Sequence, residues 1–414
     1  MSIAVWNTLE HMADGHDTAS EGAGPSGASR QATGQFAPIL RLRPRPIRRA
    51  EPHQRGTNPK VPRCGHGDVG PCVRPPPWRA AIPRDNVTAR QWTAAAVPQT
   101  HAGATPTPNN SGERKQLMAM LETGAVLGID VGFSDRSPST AFCLLRWDDT
   151  AVRLRLIRTK ASTADRRRAL DDLLAVELPP LTVALDGPLA RGLGRVRHYR
   201  SAEALLSQGV FQKRGKPGQT SSPTGLLLHE HATLLAKLVL QAESEGMCRI
   251  AAAGHYESIH EKAIVEAFPN QFLAALLPEA DLPPLRRDAS DRYWEACVAL
   301  GLFGDLFDYL LPGRAFETPL SAYGNHDDRA AIVCAMTGLC VAAGRAVGVG
   351  DSTDGDIMLP PRECWGVATH GDEPWLARAL RSSLTKVRKR HPRGSASRVV
   401  CSGHPWPLDP TDGD

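Results

Sequence analysis

The sequence predicts an α/β domain built on a mixed five-stranded sheet flanked by helices, with disordered N-terminal and C-terminal tails. Two observations carry this prediction. After residue 123, short apolar runs typical of strands are interspersed with longer segments of helical periodicity. Residues 1–112, in contrast, contain 15 of the 34 prolines and almost no periodic apolar pattern, so they have little to bury in a core.

The chain of 414 residues divides into three predicted parts. These are a disordered Pro/Arg/Gly-rich segment over residues 1–117, a folded domain over 118–380 and a basic disordered tail over 381–414. Lys and Arg outnumber Asp and Glu by 13 to 7 in residues 1–112 and by 7 to 3 in residues 381–414. Met118 and Met120 directly precede the first apolar run, which suggests that the working protein begins there.

Composition also limits the class of protein. No stretch reaches the roughly 18 apolar residues that span a membrane, and the N-terminus lacks the basic-then-apolar pattern of a signal peptide. The nine cysteines are odd in number and none lies in a CxxC pair, which favours reduced thiols. We therefore expect a cytoplasmic protein without a membrane partner.

The first predicted elements are three strands, a crossover helix and a fourth strand. The strands cover residues 124–132, 139–147, 151–159 and 181–186, and the helix covers 162–176. A right-handed crossover in this β-β-β-α-β order places the first and fourth strands side by side. Asp130 and Asp186 end these two strands, each followed closely by glycine, so we expect their side chains to lie close together.

The second half of the domain is predicted to be mainly helical. A long loop over 187–222, with a short helix around 201–208, precedes a helix over 225–246. A fifth strand over 261–269 carries Glu266. Three helices over 270–280, 290–311 and 325–346 follow, and residues 354–366 form a predicted edge strand.

Carboxylates recur where these elements meet, and they are the candidate catalytic residues: Asp130, Asp186, Glu266, Asp327 and Asp328. Converging carboxylates repel one another unless hard divalent cations lie between them. Mg²⁺ or Mn²⁺ suits such an all-oxygen site, and two ions can support phosphodiester hydrolysis. We therefore expect a Mg²⁺- or Mn²⁺-dependent site.

The order of strands and acids resembles the ribonuclease H fold, as used by RuvC-type resolvases. More closely, five phrases in order resemble the predicted RNase H-like nuclease family catalogued as domain of unknown function 429: GIDVGFS, VALDGPL, VEAFP, HDDRAAIVCAMTGL and DIMLPPRECWG. This resemblance covers about residues 124–368. It implies a metal-dependent nuclease with DNA or RNA as the partner.

By that resemblance, Asp130 and Asp186 would be shared metal ligands, Asp327 or Asp328 would complete the site, and Glu266 would be a fourth ligand or would support one. The sequence departs from RuvC-like enzymes at one position. Those enzymes often carry two acids one turn apart in the last helix, whereas Ala330 stands three residues after Asp327.

Several basic side chains follow Asp186 or lie beside the acids and are candidates for binding substrate phosphates: Arg197, Arg200, Lys213, Arg214 and His326. A solvated basic loop is an equally good account of the first four. His229 and His231 lie two apart on a predicted helix, which is unfavourable for sharing a metal.

Other accounts of the same residues remain open. A strand-terminal aspartate before glycine often forms a turn, and Asp327 could simply cap its helix. The phrase GIDVGFSDRSPST also fits the phosphate turn of actin-like ATPases and sugar kinases, although only AVGVGD at 346–351 stands in for their second glycine-rich motif. A third alternative is an RNase H-like scaffold that has lost its metals and serves as a binding module.

Overall fold

The computed structural model describes residues 122–175, 179–213, 217–244, 263–284, 289–370, 373–391, 396–401 and 404–405. The predicted disordered segment 1–117 lies outside the described residues. The described chain is α/β, with one mixed sheet and helices on its faces.

The described strands form one sheet in the order β10-β9-β7-β8-β5-β4-β1-β2-β3-β6. Their bounds are Gly124–Asp130 (β1), Thr140–Trp147 (β2), Ala151–Thr159 (β3), Thr182–Asp186 (β4), Ala263–Ala267 (β5), Ala315–Phe316 (β6), Val347–Asp351 (β7), Gly355–Leu359 (β8), Arg398–Cys401 (β9) and His404–Pro405 (β10). Within it, β1, β2 and β3 form an antiparallel meander, and β4 and β5 continue from β1 in parallel.

The prediction that β1 and β4 lie side by side is confirmed. The two strands pair in parallel, and the Cα register aligns Asp130 directly with Asp186. Because paired residues of parallel strands project to the same face, both aspartates project to one side of the sheet at its carboxyl edge.

The predicted count of five strands is wrong, since the described residues contribute ten. The predicted edge strand at 354–366 is an internal one: β8 is parallel to β5 and antiparallel to β7. The segment Val347–Asp351 is itself a buried strand, although its two glycines weaken strand propensity. Cross-strand pairing overrides that local preference.

The described helices are Thr163–Leu174 (α1), Ser201–Leu205 (α2), Pro223–Ser244 (α3), Pro269–Leu276 (α4), Ala289–Ala299 (α5), Leu302–Leu310 (α6), His326–Ala342 (α7) and Trp375–Arg390 (α8). The single long helix predicted over 290–311 is two helices. Gly301 adopts a left-handed conformation, with φ of 74°, between α5 and α6, and this conformation ends the helical path.

Two apolar clusters cover the two faces of the central strands. On one face, α1 and α3 pack against Leu127, Ile129 and Leu185. On the other face, α7 lies across β1, β2 and β4. Gly128 permits this close approach, because a Cβ there would overlap the backbone of Ala331 and Ala335.

The predicted C-terminal tail belongs in part to the fold. Helix α8 continues past the expected boundary at residue 380 and buries Leu384 and Val387. Strand β9 then pairs antiparallel with β7. The basic residues of this region conceal an amphipathic pattern: apolar positions recur at helical spacing between the exposed Lys and Arg.

None of the described helices combines the length and the apolar character needed to cross a membrane.

Candidate functional site

The candidate site lies at the carboxyl ends of β1 and β4. Asp130 and Asp186 terminate these neighbouring strands and are 7% and 6% exposed. Burial disfavours the charged form of a carboxyl group, and a second carboxylate nearby increases this effect. Burial, together with the neighbouring Asp186, therefore raises the pKa of Asp130 well above its usual value. Burial also raises the pKa of Asp186 to about 7.

Helix α7 brings further acids to this edge. Its N-terminal residues include Asp327 and Asp328, and its later residues pack along β1 towards the opposite end of the strand. Asn325 caps the helix by accepting a hydrogen bond from the Asp328 N–H at 3.1 Å. Both Asp327 and Asp328 lie close enough to raise the pKa of Asp130. The helix N-terminus also carries a partial positive charge that favours nearby carboxylates.

His326 is oriented by an acid that the sequence interpretation missed. Its Nδ1 lies 3.2 Å from Asp291 Oδ1, and Arg329 Nη1 donates to the same oxygen at 3.0 Å. The other ring nitrogen, Nε2, is buried and forms no hydrogen bond with a described residue. Burial lowers the pKa of His326, but the hydrogen bond that its ring donates to Asp291 and the nearby carboxylates raise it more, so the net shift is upward.

The donor chemistry of this site fits a hard cation only in part. Asp130 and Asp186 place carboxylate oxygens on one face of the sheet, and within the described chain no lysine or arginine forms an ion pair with either. However, no three His, Cys, Asp or Glu side chains among the described residues are grouped to hold a metal ion. Asp328 also forms an ion pair, because its Oδ1 lies 3.3 Å from Arg158 Nε, and this pair competes with binding of a cation.

The structure separates Glu266 from these acids. In the β4–β5 register Glu266 aligns with Leu185, so its side chain projects to the face opposite Asp186. There Arg200 donates two hydrogen bonds of 2.7 Å to the two Glu266 oxygens, and the Leu189 N–H donates a third at 2.9 Å. The prediction that Glu266 shares the site as a ligand is therefore not supported by its placement.

Arg200 is likewise committed to the interior. It is 1% exposed and also donates to Glu203 Oε1 at 2.7 Å. The prediction that Arg200 binds substrate phosphates is wrong, since its guanidinium is buried between two carboxylates. Arg197, in contrast, is exposed. Lys213 ends a short 3-10 helix, and the predicted contribution of Arg214 lies outside the described residues.

Two discounted histidines on α3 position the loops that follow the paired aspartates. His229 Nδ1 donates to Pro188 O at 2.9 Å, and its Nε2 accepts from the Val196 N–H at 3.2 Å. His231 Nδ1 accepts from Arg166 at 2.9 Å, and the same buried arginine donates to Gly132 O. Their two-residue spacing argues against a shared metal, but it suits contacts with two separate loops.

Comparison with known proteins yields no match to a protein-family model, to a curated protein or to a solved structure.

Proposed function

We propose that this protein is a metal-dependent phosphodiester hydrolase, a nuclease of the RNase H-like superfamily resembling domain of unknown function 429. The observation that carries the proposal is the direct parallel alignment of Asp130 with Asp186 on one face of the sheet. The strand order β3-β2-β1-β4-β5 supports the RNase H-like assignment, because it follows the β-β-β-α-β order on which the resemblance rests.

In this proposal, Asp130 and Asp186 would hold Mg²⁺ or Mn²⁺, and Asp327 at the start of α7 would add a nearby negative charge. The bound ion would activate a water and stabilise the leaving oxygen of a phosphodiester. The raised pKa values of the two strand aspartates support a cation site, because two buried carboxylates ionise together more readily beside a positive charge.

His326 has a distinct role in the proposal. Asp291 fixes its ring through Nδ1, which leaves Nε2 as the atom that exchanges a proton with the reacting water. Asp291 is thus a positioning residue. It would orient the His326 ring for proton transfer, as the acid of a catalytic triad orients a general base.

A metal-free RNase H-like binding scaffold is the second candidate. The described residues supply no group of three metal ligands, and Arg158 lies 3.3 Å from Asp328 in the position of a substitute cation. The ATPase or kinase alternative is weaker. Its only candidate for a second glycine-rich motif, residues 346–351, is mostly strand β7, which pairs on both sides.

A cleavage panel tests the proposal on single-stranded, duplex and junction substrates, with Mg²⁺ or Mn²⁺ and with EDTA. We expect metal-dependent cleavage by the parent protein and a loss of about 100-fold or more in Asp130→Asn and Asp186→Asn. Asp172→Asn is the matched control, because this carboxylate lies on the surface of α1 and is 57% exposed. Cleavage at the parent rate by both strand variants would remove the active-site assignment.

A further inference from the structure

A cavity of about 600 Å³ lies between the loop that follows β4 and the turn that joins β7 to β8. We call residues 190–198 of that loop the arginine loop. The cavity is lined by polar and basic groups from both segments: Arg191, Arg195, Arg197, His198, Ser352 and Thr353. Its volume falls in the range of sites that hold ligands of nucleotide size.

The charges that line this cavity are mostly positive and uncompensated. Arg191 and Arg197 are exposed, and neither forms an ion pair with another described residue. Arg195 has only a distant contact, 3.9 Å, with Glu230. The acid on the lining is Asp354, which is buried and whose Oδ2 lies 2.8 Å from His198 Nε2. The cavity therefore offers three guanidinium groups to an anion.

The arginine loop is held in place by contacts that leave its arginines exposed. Val196 is buried, and its N–H donates to His229. His198 contacts Asp354 on the β7–β8 turn. Arg200, just beyond the loop, donates to Leu189 O at 3.3 Å and to Glu266. A positioned loop loses less conformational entropy when it binds a ligand than a free loop does.

We propose that this cavity is a binding site for a phosphoryl group, carried by a nucleotide or by a nucleic-acid strand. Guanidinium groups form paired hydrogen bonds with phosphate oxygens, and the hydroxyls of Ser352 and Thr353 are further donors on the opposite wall. The site uses none of the paired aspartates and needs no divalent cation. It therefore stands independently of the proposed hydrolytic activity.

A neighbouring cavity distinguishes the two sources of phosphate. It measures about 420 Å³, lies towards α3 and shares Arg195, Val196 and Arg197 with the first. A strand that follows both cavities would present successive phosphates to these arginines, whereas a mononucleotide would occupy one cavity. The two ligands therefore predict different gains from added length.

Calorimetric titration of the full chain in EDTA tests the site with inorganic phosphate, adenosine 5′-monophosphate and a thymidine strand of about 12 nucleotides. We expect binding of at least one probe, and about tenfold or more weaker binding in the double variant Arg191→Gln/Arg197→Gln. Arg168→Gln is the matched control, because this arginine is 77% exposed on α1, away from the cavity lining. It should bind like the parent.

The outcomes separate clearly. Tighter binding of the strand than of the monophosphate, with a salt slope reduced by about 1.4 in the double variant, indicates two backbone contacts along a nucleic acid. Equal binding of the two indicates a mononucleotide site. The proposal is overturned if no probe binds the parent, or if the folded double variant binds as tightly as the parent. Neither result depends on cleavage or on bound metal, so failure here leaves the hydrolase proposal to its own test.

Discussion

The pKa of an aspartate shifts in opposite directions in different parts of this fold, as Asp130 and Asp186 show. At the surface, an aspartate such as Asp148 accepts hydrogen bonds from Arg153 and Thr150, and these bonds hold its pKa below the usual range. At the carboxyl ends of β1 and β4, burial raises the pKa of both strand aspartates. Ionised carboxylates in this position destabilise the folded state unless a ligand offsets their charge.

The first prediction concerns the pH dependence of stability in EDTA. Between the ordinary pKa of 3.8 and about 7, the unfolded chain releases the proton of Asp186 while the folded chain retains it. The folded state then binds more protons, so the free energy of unfolding should fall as pH rises through this window. Urea unfolding at several pH values measures the slope, and Asp186→Asn should flatten it. A parent slope equal to that of the variant would show that Asp186 ionises normally in the fold.

Arg200 shows why a basic residue in a loop could not be assigned from sequence. Arg197, three positions earlier in the chain, is exposed. The Arg200 guanidinium, in contrast, contacts Glu203 and Glu266 from two other elements. Burial lowers the pKa of Arg200, but the two carboxylates raise it more. The partner Glu266 lies 66 positions away. No local pattern distinguishes it from Arg197.

At the scale of elements, the contact of α7 with β1 determines where Asp327 and Asp328 lie. The helix packs close to the strand because Gly128 has no side chain, and its first turn then lies beside Asp130 and Asp186. Gly338 lies in α7 itself and faces Val126 of β1 with more space. The two glycines are therefore not equivalent, although both lie in the same interface.

The second prediction compares substitutions at these two glycines. Gly128→Ala should destabilise the protein by about 1–3 kcal/mol, because the new Cβ overlaps the backbone of α7. Gly338→Ala should stabilise it by about 0.5–1 kcal/mol, since a Cβ there lies 3.5 Å from Val126 Cβ and alanine favours a helix. Denaturant unfolding measures both. Equal stability of the two variants would contradict the described contact of α7 with β1.

At the scale of the whole molecule, the central part of the fold could be predicted from sequence and the extension could not. The meander and the β1–β4 pairing follow from segment order and crossover handedness. Strands β7 and β9 are short and, in β7, rich in glycine, so their stability comes from pairing that no local pattern reveals. Helix α8 was hidden by its basic residues, although its apolar spacing was present in the sequence.

The candidate site, like the fold, could be predicted only in part. The adjacency of Asp130 and Asp186 follows from topology, because paired parallel strands end at the same edge. The exclusion of Glu266 depends on the register of β5, since a shift by one residue reverses the face of every side chain. The pairing of Asp291 with His326 joins two helices and leaves no sequence signature.

The third prediction tests whether the C-terminal region is part of the folded domain. Leu384→Ala in α8 should destabilise the protein by about 2–5 kcal/mol, because this side chain is 4% exposed within the main apolar cluster. Thr385→Ala, the next and exposed position, should change stability by about 0.5 kcal/mol or less. Thermal unfolding of both variants decides the question. If Leu384→Ala were as stable as the parent, the folded domain would end near residue 380, as the sequence predicts.

The central proposal is that Asp130 and Asp186 form one site in which a divalent cation would offset two buried charges. Calorimetric titration with Mn²⁺ measures this directly in the parent, in Asp130→Asn, in Asp186→Asn and in the surface control Asp172→Asn. We expect binding by the parent and by the control, and at least about tenfold weaker binding in each strand variant. Absence of Mn²⁺ binding by the parent, or equal binding by all four proteins, would contradict the account.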